Sequence, residues 1–481
     1  MRKARKKMSS NLLQSITNLL PEVRRPERTP SLKEKLAWTG AALLIFFVLG
    51  QIYPIGVDPA GITRFERLEI LLGSRTGTII TAGIGPIVLA SIFLQLAAGA
   101  KLFKFDLHTP EGKKAFQGLQ KLLAIALSFF EAGIYVVSNY IPAAGALHGS
   151  TVAPLLGSVL FTQIVLIIQL ALGSILLLYL DELVQKYGIG SGISLFIAAG
   201  VTQAIFVGSL SIATVGEMPA GLVPQAIYFL LGGDVATAIW SLVPILFTII
   251  VFLVVVYVEG MKIELPLAYG QARGLGARYP IKFLYVSNIP VILAAAVLLN
   301  IQLLGMFVAN AGFPLLGHYA NNQPIDGIAY FTTALPSPLL TPGGYPAYLQ
   351  LYFTNLKEIL HIIVYGVALV IFCVIFGWFW IETTGMSAKD VAAQLSRTGL
   401  QVPGFRQDPR VMEKILERYI PVITILGSIF VGVLAWFADI TGALGTGTGI
   451  LLTVGIIYRF YEDLAQQQLF EMYPALRKIV G

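Results

Sequence analysis

Basic residues in this chain are distributed between two alternating sets of gaps, and that imbalance limits what it can fold into. Ten apolar stretches run along its 481 residues. Of the 33 Lys and Arg residues, 29 lie in or border one alternating set of gaps, and only Arg64, Arg67, Arg75 and Lys357 lie in the other. Loops rich in Lys and Arg stay on the cytosolic side of a membrane, so the pattern describes a multi-pass protein with both termini in the cytosol.

The stretches are 36–53, 76–99, 116–141, 152–180, 189–210, 239–258, 283–309, 356–381, 419–438 and 447–461. About 20 apolar residues at roughly 1.5 Å rise per residue cover a hydrocarbon core of about 30 Å. With 56% hydrophobic and 12% charged residues, a soluble fold of this length would expose apolar surface on a large scale. The stretches are continuously apolar and do not alternate with period two, which predicts helices and excludes barrel strands. The expected fold is an all-α bundle of ten spans.

At the N-terminus, the segment 11–20 is too short and too polar for the core of a cleaved signal, so none is expected. Leu12, Leu13, Ile16, Leu19 and Leu20 share one helical face behind a basic run, as in a helix lying on a membrane surface; a plain basic tail is the alternative. The single cysteine, Cys373, lies inside an apolar stretch and excludes an internal disulfide and thiolate metal sites.

Ten spans divide into two halves of five, and an odd number forces the second half to enter the membrane with the opposite orientation, as inverted repeats do. The division is a cytosolic N-terminal segment 1–35, a half 36–210, an external loop 211–238, a half 239–470 and a cytosolic tail 471–481. Two cytosolic loops, 260–282 and 383–418, are long, basic and Gly-rich. Such loops either bind phosphate backbones, including ribosomal RNA, or only obey the positive-inside rule.

Several spans are interrupted by Gly and Pro, at Gly83-Ile84-Gly85-Pro86, at Gly188 to Gly192, at Asn288-Ile289-Pro290, and from Gly442 through Gly449. Freed backbone groups in lipid need partners in protein or water, so the breaks point either to a central cavity or to close packing through small residues. A carrier of charged solutes needs buried ionisable groups at mid-membrane, and Glu131, with Asn300 as polar companion, is the main one available. Beside the breaks stand Ile84, Val88, Ile193, Ile197, Ile292 and Leu452 instead. Apolar side chains meeting in a ring close a pore by dewetting and select no particular solute. A secondary transporter, the competing class, would share the broken helices and requires the missing charges. No phosphate loop, metalloprotease pair or hydrolase elbow is present, and His108, His148, His318 and His361 are scattered, so neither an enzyme nor a cofactor is expected.

Four motifs in order carry a family resemblance. They are Gly77-Thr78 with Gly83-Ile84-Gly85-Pro86-Ile87-Val88; Tyr179-Leu180-Asp181-Glu182 leading into Lys186-Tyr187-Gly188-Ile189-Gly190-Ser191-Gly192; Tyr279-Pro280-Ile281-Lys282 with Ser287-Asn288-Ile289-Pro290; and Gly404-Phe405-Arg406. With these the chain resembles, over nearly its whole length, the SecY family of protein-conducting channel subunits, of archaeal type.

The resemblance implies a clam shell of two halves around an hourglass pore that passes secretory polypeptides and releases transmembrane segments sideways into lipid. The six apolar residues beside the breaks match the pore ring. The external segment 61–74, with Ile62, Phe65, Leu68, Leu71 and Leu72, matches the plug; read alone, it suits a membrane-surface helix as well. The lateral gate, between spans two and three and spans seven and eight, takes Glu131 and Asn300, while Leu89 replaces a hydroxyl residue often found there and leaves Glu131 short of partners. Arg273, Arg278, Lys282, Arg397, Arg406 and Arg410 fall on the ribosome-docking loops. The family further implies small SecE/gamma-type and beta-type membrane subunits as partners, with signal sequences, nascent chains, the ribosome and its RNA, and membrane lipids. The stretch 332–354, rich in Pro and Tyr, matches no family function.

Overall fold

The computed structural model describes residues 21–28, 30–58, 75–99, 110–145, 153–215, 218–269, 276–286, 289–310, 312–320, 323–335, 344–397, 400–401 and 409–472. The segment 61–74, Arg273, Arg406 and the face formed by Leu12 to Leu20 lie outside the described residues.

Each of the ten apolar stretches carries a helix over much of its length. In the first half they are α1 (Leu32–Leu49), α2 (Gly85–Gly99), α3 (Pro110–Val137), α4 (Val159–Tyr187) and α5 (Gly192–Leu210). A short helix, α6 (Leu222–Leu231), leads into α7 (Val235–Glu259) and α8 (Ile289–Asn310). Two further short helices, α9 (Gly327–Thr332) and α10 (Gly344–Thr354), precede α11 (Leu356–Thr384); α12 (Ala388–Arg397), α13 (Pro409–Ile440) and α14 (Gly447–Met472) follow. Among the described residues, seven helices are long and apolar enough to cross a membrane: α3, α4, α5, α7, α8, α11 and α13. The other three are shorter or more charged. Helix α1 opens on Lys33, Glu34 and Lys35, α2 has 15 residues, and α14 carries Arg459, Glu462 and Asp463.

The second stretch differs most from its sequence reading, because residues 76–84 form successive turns and the helix begins only at Gly85. Gly77 and Gly83 take positive φ, at 83° and 55°, which side chains with a Cβ resist. The Thr78 hydroxyl donates to the Arg75 carbonyl at 2.7 Å and the Thr81 hydroxyl to the Thr78 carbonyl, giving carbonyls of the unwound segment partners.

Side chains on the spans sort by face and not by polarity. On α4, Leu160, Ile164, Ile168, Leu172 and Leu176 recur every four residues and are exposed, whereas Leu166, Leu170, Ala171, Ser174 and Leu177 are buried. One stripe meets lipid and the other packs inward.

Neighbour relations repeat between the halves. In the first, α1 packs on α4 and α5, α2 on α3 and α4, α3 on α4, and α4 on α5. In the second, α7 packs on α13 and α14, α8 on α11 and α13, α11 on α13, and α13 on α14. These six pairs correspond when α1 to α5 are matched in order with α7, α8, α11, α13 and α14; the second half adds a contact of α8 with α14. The halves meet through α5 against α14 and α2 against α11.

Outside the bundle, β3 (Lys262–Tyr269) and β4 (Gly276–Lys282) form an antiparallel hairpin, and β7 (Leu400–Gln401) adds to its edge in the order β4-β3-β7. The two long basic loops are thereby one structural unit with its own core, where Leu265, Leu267 and Ile281 pack with Val391, Leu395, Met412 and Leu416. The pairs β1 (Thr214–Val215) with β2 (Met218–Pro219) and β5 (Tyr319–Ala320) with β6 (Gln323–Pro324) are short antiparallel ladders between helices.

Helix packing is close where α11 crosses α13, with a Cβ at Gly366 falling on the indole of Trp436, which donates to the Ile362 carbonyl at 2.9 Å. Gly366→Val is expected to destabilise the bundle by about 1–3 kcal/mol through overpacking. Gly200→Ala, with nothing within 4 Å of the added methyl, is expected to leave stability unchanged. Thermal unfolding midpoints in detergent check both.

Candidate functional site

Four separate parts of the chain send apolar side chains to one place at the centre of the bundle. Ile84 ends the unwound segment and Val88 follows on α2, Ile193 and Ile197 project from α5, Ile292 from α8 and Leu452 from α14. Ile84, Ile197 and Leu452 are buried in one cluster, and Val88, Ile193 and Ile292 pack against it. Phe46 and Phe196 stack beside them at 4.9 Å between ring centroids. The cluster presents aliphatic and aromatic carbon, so it excludes water and offers a solute no hydrogen bond.

The polar residues expected at one side do not form a hydrogen-bonded pair. Glu131 lies on α3, where one carboxyl oxygen, Oε1, is buried without a hydrogen-bond partner and the Tyr135 hydroxyl, one turn on, interacts with the group. Asn300 on α8 donates its amide to the Ala296 carbonyl of its own helix at 2.7 Å. Leu89 is half-buried. Met306 of α8 belongs to the apolar cluster that holds Ala132, Tyr135 and Val136 of α3, and Leu299 and Leu303 pack against that cluster.

On the sheet of β3, β4 and β7 and beside it, the basic residues differ in their ion pairing. Arg278 is exposed and bridges to Glu264 at 2.9 Å, and Lys262 reaches the same carboxyl at 3.2 Å. Those two cations hold Glu264 below the usual carboxylate range. Lys282 is tied to Glu462 of α14 at 2.8 Å and lies over the Tyr458 ring at 4.9 Å. Arg397 and Arg410 are exposed at the end of α12 and the start of α13. Sequence reading missed Glu264 and Glu462 as partners. Glu264 could have been found by writing 262–282 as a hairpin, which sets Glu264 opposite Pro280 and so near Arg278; the contact to Glu462 spans 180 residues and has no local signal.

A second set of basic residues knits the N-terminal segment to the bundle. Lys121 bonds Glu182 and the Pro21 carbonyl at 2.8 and 2.6 Å, and Lys186 bonds Glu182 and Glu22 at 2.8 and 3.0 Å. These charges are mostly buried, so their pairing matters more than that of surface ions.

Apolar helices with lipid-facing stripes, breaks satisfied inside the protein and an apolar centre define a multi-pass helical membrane channel. The SecY family model matches residues 78–461. The protein translocase subunit SecY of Methanococcus vannielii is 46% identical over 473 residues, which is 98% of this chain and 99% of the relative. Among solved structures, a protein conducting channel superposes with a TM-score of 0.79 at 44% identity, covering 96% of this chain and 98% of the other. A Sec61 chain in the canine ribosome-channel complex from the endoplasmic reticulum superposes with a TM-score of 0.77 at 44% identity and the same coverage. The chain belongs to the SecY family of protein-conducting translocation channels.

An amide placed in the central cluster would find no partner there, so Ile197→Asn is expected to cost about 1–3 kcal/mol. The thermal midpoint in detergent reads this directly; a midpoint equal to the parent's would mean that water already fills the cluster.

Proposed function

We propose that this chain passes unfolded polypeptides through its apolar centre and lets sufficiently hydrophobic segments leave sideways into lipid. The observation that carries the reading is the meeting of Ile84, Val88, Ile193, Ile197, Ile292 and Leu452 in a single cluster. A ring of this kind fits around an extended chain of any sequence, because it makes no specific hydrogen bond, and its apolar lining resists ion leakage.

The architecture we infer has ten spans in two inverted halves, 36–210 and 239–470, around an hourglass pore, with both termini in the cytosol. The repeated neighbour relations support the inverted halves. The segment 61–74, through Ile62, Phe65, Leu68, Leu71 and Leu72, closes the external side of the pore at rest. A signal sequence enters where α2 and α3 face α8 and α11, because burying its apolar residues in lipid is favourable. Glu131, Asn300 and Leu89 line that entry, and the Glu131 oxygen without a partner makes the closed state easier to leave.

Arg273, Arg278, Lys282, Arg397, Arg406 and Arg410 meet phosphates of ribosomal RNA on the cytosolic sheet. The similarity to a channel solved in a ribosome complex supports this docking face. Small SecE/gamma-type and beta-type subunits cover part of the lipid-facing surface. The chain contributes a path and no chemical step, so the ribosome or another motor supplies the drive.

A photo-crosslinking side chain at position 292 is expected to attach to a ribosome-bound secretory chain of intermediate length only when its signal sequence is intact. No attachment, with the channel folded and the ribosome bound, would exclude a polypeptide path at this ring. Glu131→Leu is expected to shift the hydrophobicity at which a signal opens the gate, read as translocation of a graded signal series. An unchanged series would remove Glu131 from the gate.

A further inference from the structure

The turns that launch α5 and α14, the two helices bearing Ile193, Ile197 and Leu452, are held by the same pair of side chains. In the first half Asp181, near the end of α4, accepts from the Ile193 amide on Oδ1 at 3.0 Å, from the Ser191 hydroxyl at 3.4 Å and, on Oδ2, from Gln185 at 2.8 Å. Thr39 on α1 donates to the Lys35 carbonyl at 2.9 Å and accepts from the Ile189 amide at 3.1 Å.

In the second half Asp439, near the end of α13, accepts from the Gly447 amide on Oδ1 at 3.1 Å and from the Tyr365 hydroxyl on Oδ2 at 2.7 Å. Thr248 on α7 donates to the Pro244 carbonyl at 2.7 Å and accepts from the Leu444 amide at 2.8 Å. All four side chains are at least nine-tenths buried.

The matching goes further. Each aspartate precedes a run of the form Gly-x-Gly-Ser/Thr-Gly-Ile, at Gly188 to Ile193 and at Gly445 to Ile450. Each threonine sits on the helix that opens its half. Counted from the helix starts at Gly192 and Gly447, Ile197 and Leu452 stand at the same distance, about one and a half turns, although in the register of the glycine run Leu452 falls opposite Leu195.

Local capping does not require this arrangement. The first amides of a helix are ordinarily capped by the residue just before it. At α5 the preceding Ser191 caps no amide, and at α14 the Thr446 hydroxyl takes only the Gly449 amide at 3.1 Å; in both an acceptor from the preceding span, across a Gly turn, takes another of the first amides, and a third span holds the turn itself. Each set therefore fixes three helices along the membrane normal: α1, α4 and α5, or α7, α13 and α14. On the second turn the Tyr345 and Tyr348 hydroxyls of α10 also donate to the carbonyls of Thr441 and Ile440, at 3.2 and 2.9 Å, so the unmatched external stretch becomes a brace for the same point.

We propose that Asp181 with Thr39, and Asp439 with Thr248, are matched clamps that set the height of α5 and α14 and so keep Ile193, Ile197 and Leu452 level with the rest of the ring in the closed channel. The clamps act through the ring and rest on its reading as the seal. Losing one acceptor leaves a buried amide unpaired in a turn that must then shift.

The test is the resting ion conductance of the full chain in planar bilayers. Asp181→Ala and Asp439→Ala are expected to raise it about tenfold, the population change that one unpaired buried donor produces. Asp181→Asn and Asp439→Asn, which keep an oxygen acceptor, are expected to restore the seal. Thr39→Val and Thr248→Val keep the shape, remain usable if an alanine variant does not fold, and are expected to leak in the same direction. Leu452→Gly opens the ring directly. Sealed clamp variants beside a leaky Leu452→Gly would overturn the clamps, as would asparagine variants that leak as much as alanine. A sealed Leu452→Gly would overturn the ring reading and the clamps with it.

Discussion

In hydrocarbon no water is present to complete a broken backbone ladder, so every amide and carbonyl freed by a Gly or Pro must find its partner inside the protein. The rest of this structure follows from that requirement. The unwound segment at 76–84 is stitched by Thr78 and Thr81, the turn before α5 by Asp181 and Thr39, and the turn before α14 by Asp439 and Thr248. Because such side chains must reach the breaks from neighbouring spans, the breaks sit where helices meet, close to the central apolar cluster.

Polar and apolar residues thus divide the work at the centre. Carbon forms the surface of the central cluster, with Ile84, Ile197 and Leu452 buried together. Hydroxyls and carboxylates stay behind that surface, paired with backbone, where they position helices without presenting charge to a passing chain. A path that must accept any sequence cannot offer selective hydrogen bonds, yet it needs a defined diameter. The sheet of β3, β4 and β7 meets the opposite demand. Its core continues into the ends of α11 and α13 through Ile381, Ile420 and Ile423, while its ion pairs, such as Arg278 with Glu264, are exposed and easily exchanged for other anions.

Much of the fold was legible in the chain because the membrane imposes a coarse pattern. All ten apolar stretches carry helix, with boundaries displaced by several residues where helices extend beyond lipid, as α13 does from 419 back to Pro409. The exceptions have physical causes: residues 76–84 belong to an apolar stretch but carry Gly and Thr that favour turns, and the hairpin at 262–282 with its third strand at 400–401 depends on a contact between distant loops. Of the expected site, the six ring residues come together as their positions beside breaks suggested, while Glu131 and Asn300 make no hydrogen bond to each other among the described residues. The duplicated aspartate, although visible as Asp181 and Asp439 before two similar Gly-rich runs, reads on its own as a charge at a helix end.

By itself the sequence determined that the chain crosses a membrane many times, which gaps are basic, where the helices break and which apolar residues flank those breaks, since hydropathy, charge and Gly/Pro placement are local properties. Tertiary structure alone decided which face of each helix meets lipid and which meets protein. Leu160 and Leu166 on α4 are the same residue, one exposed and one buried. In a bilayer both surroundings are equally apolar, so no periodicity of polarity records the difference, and only packing between spans can.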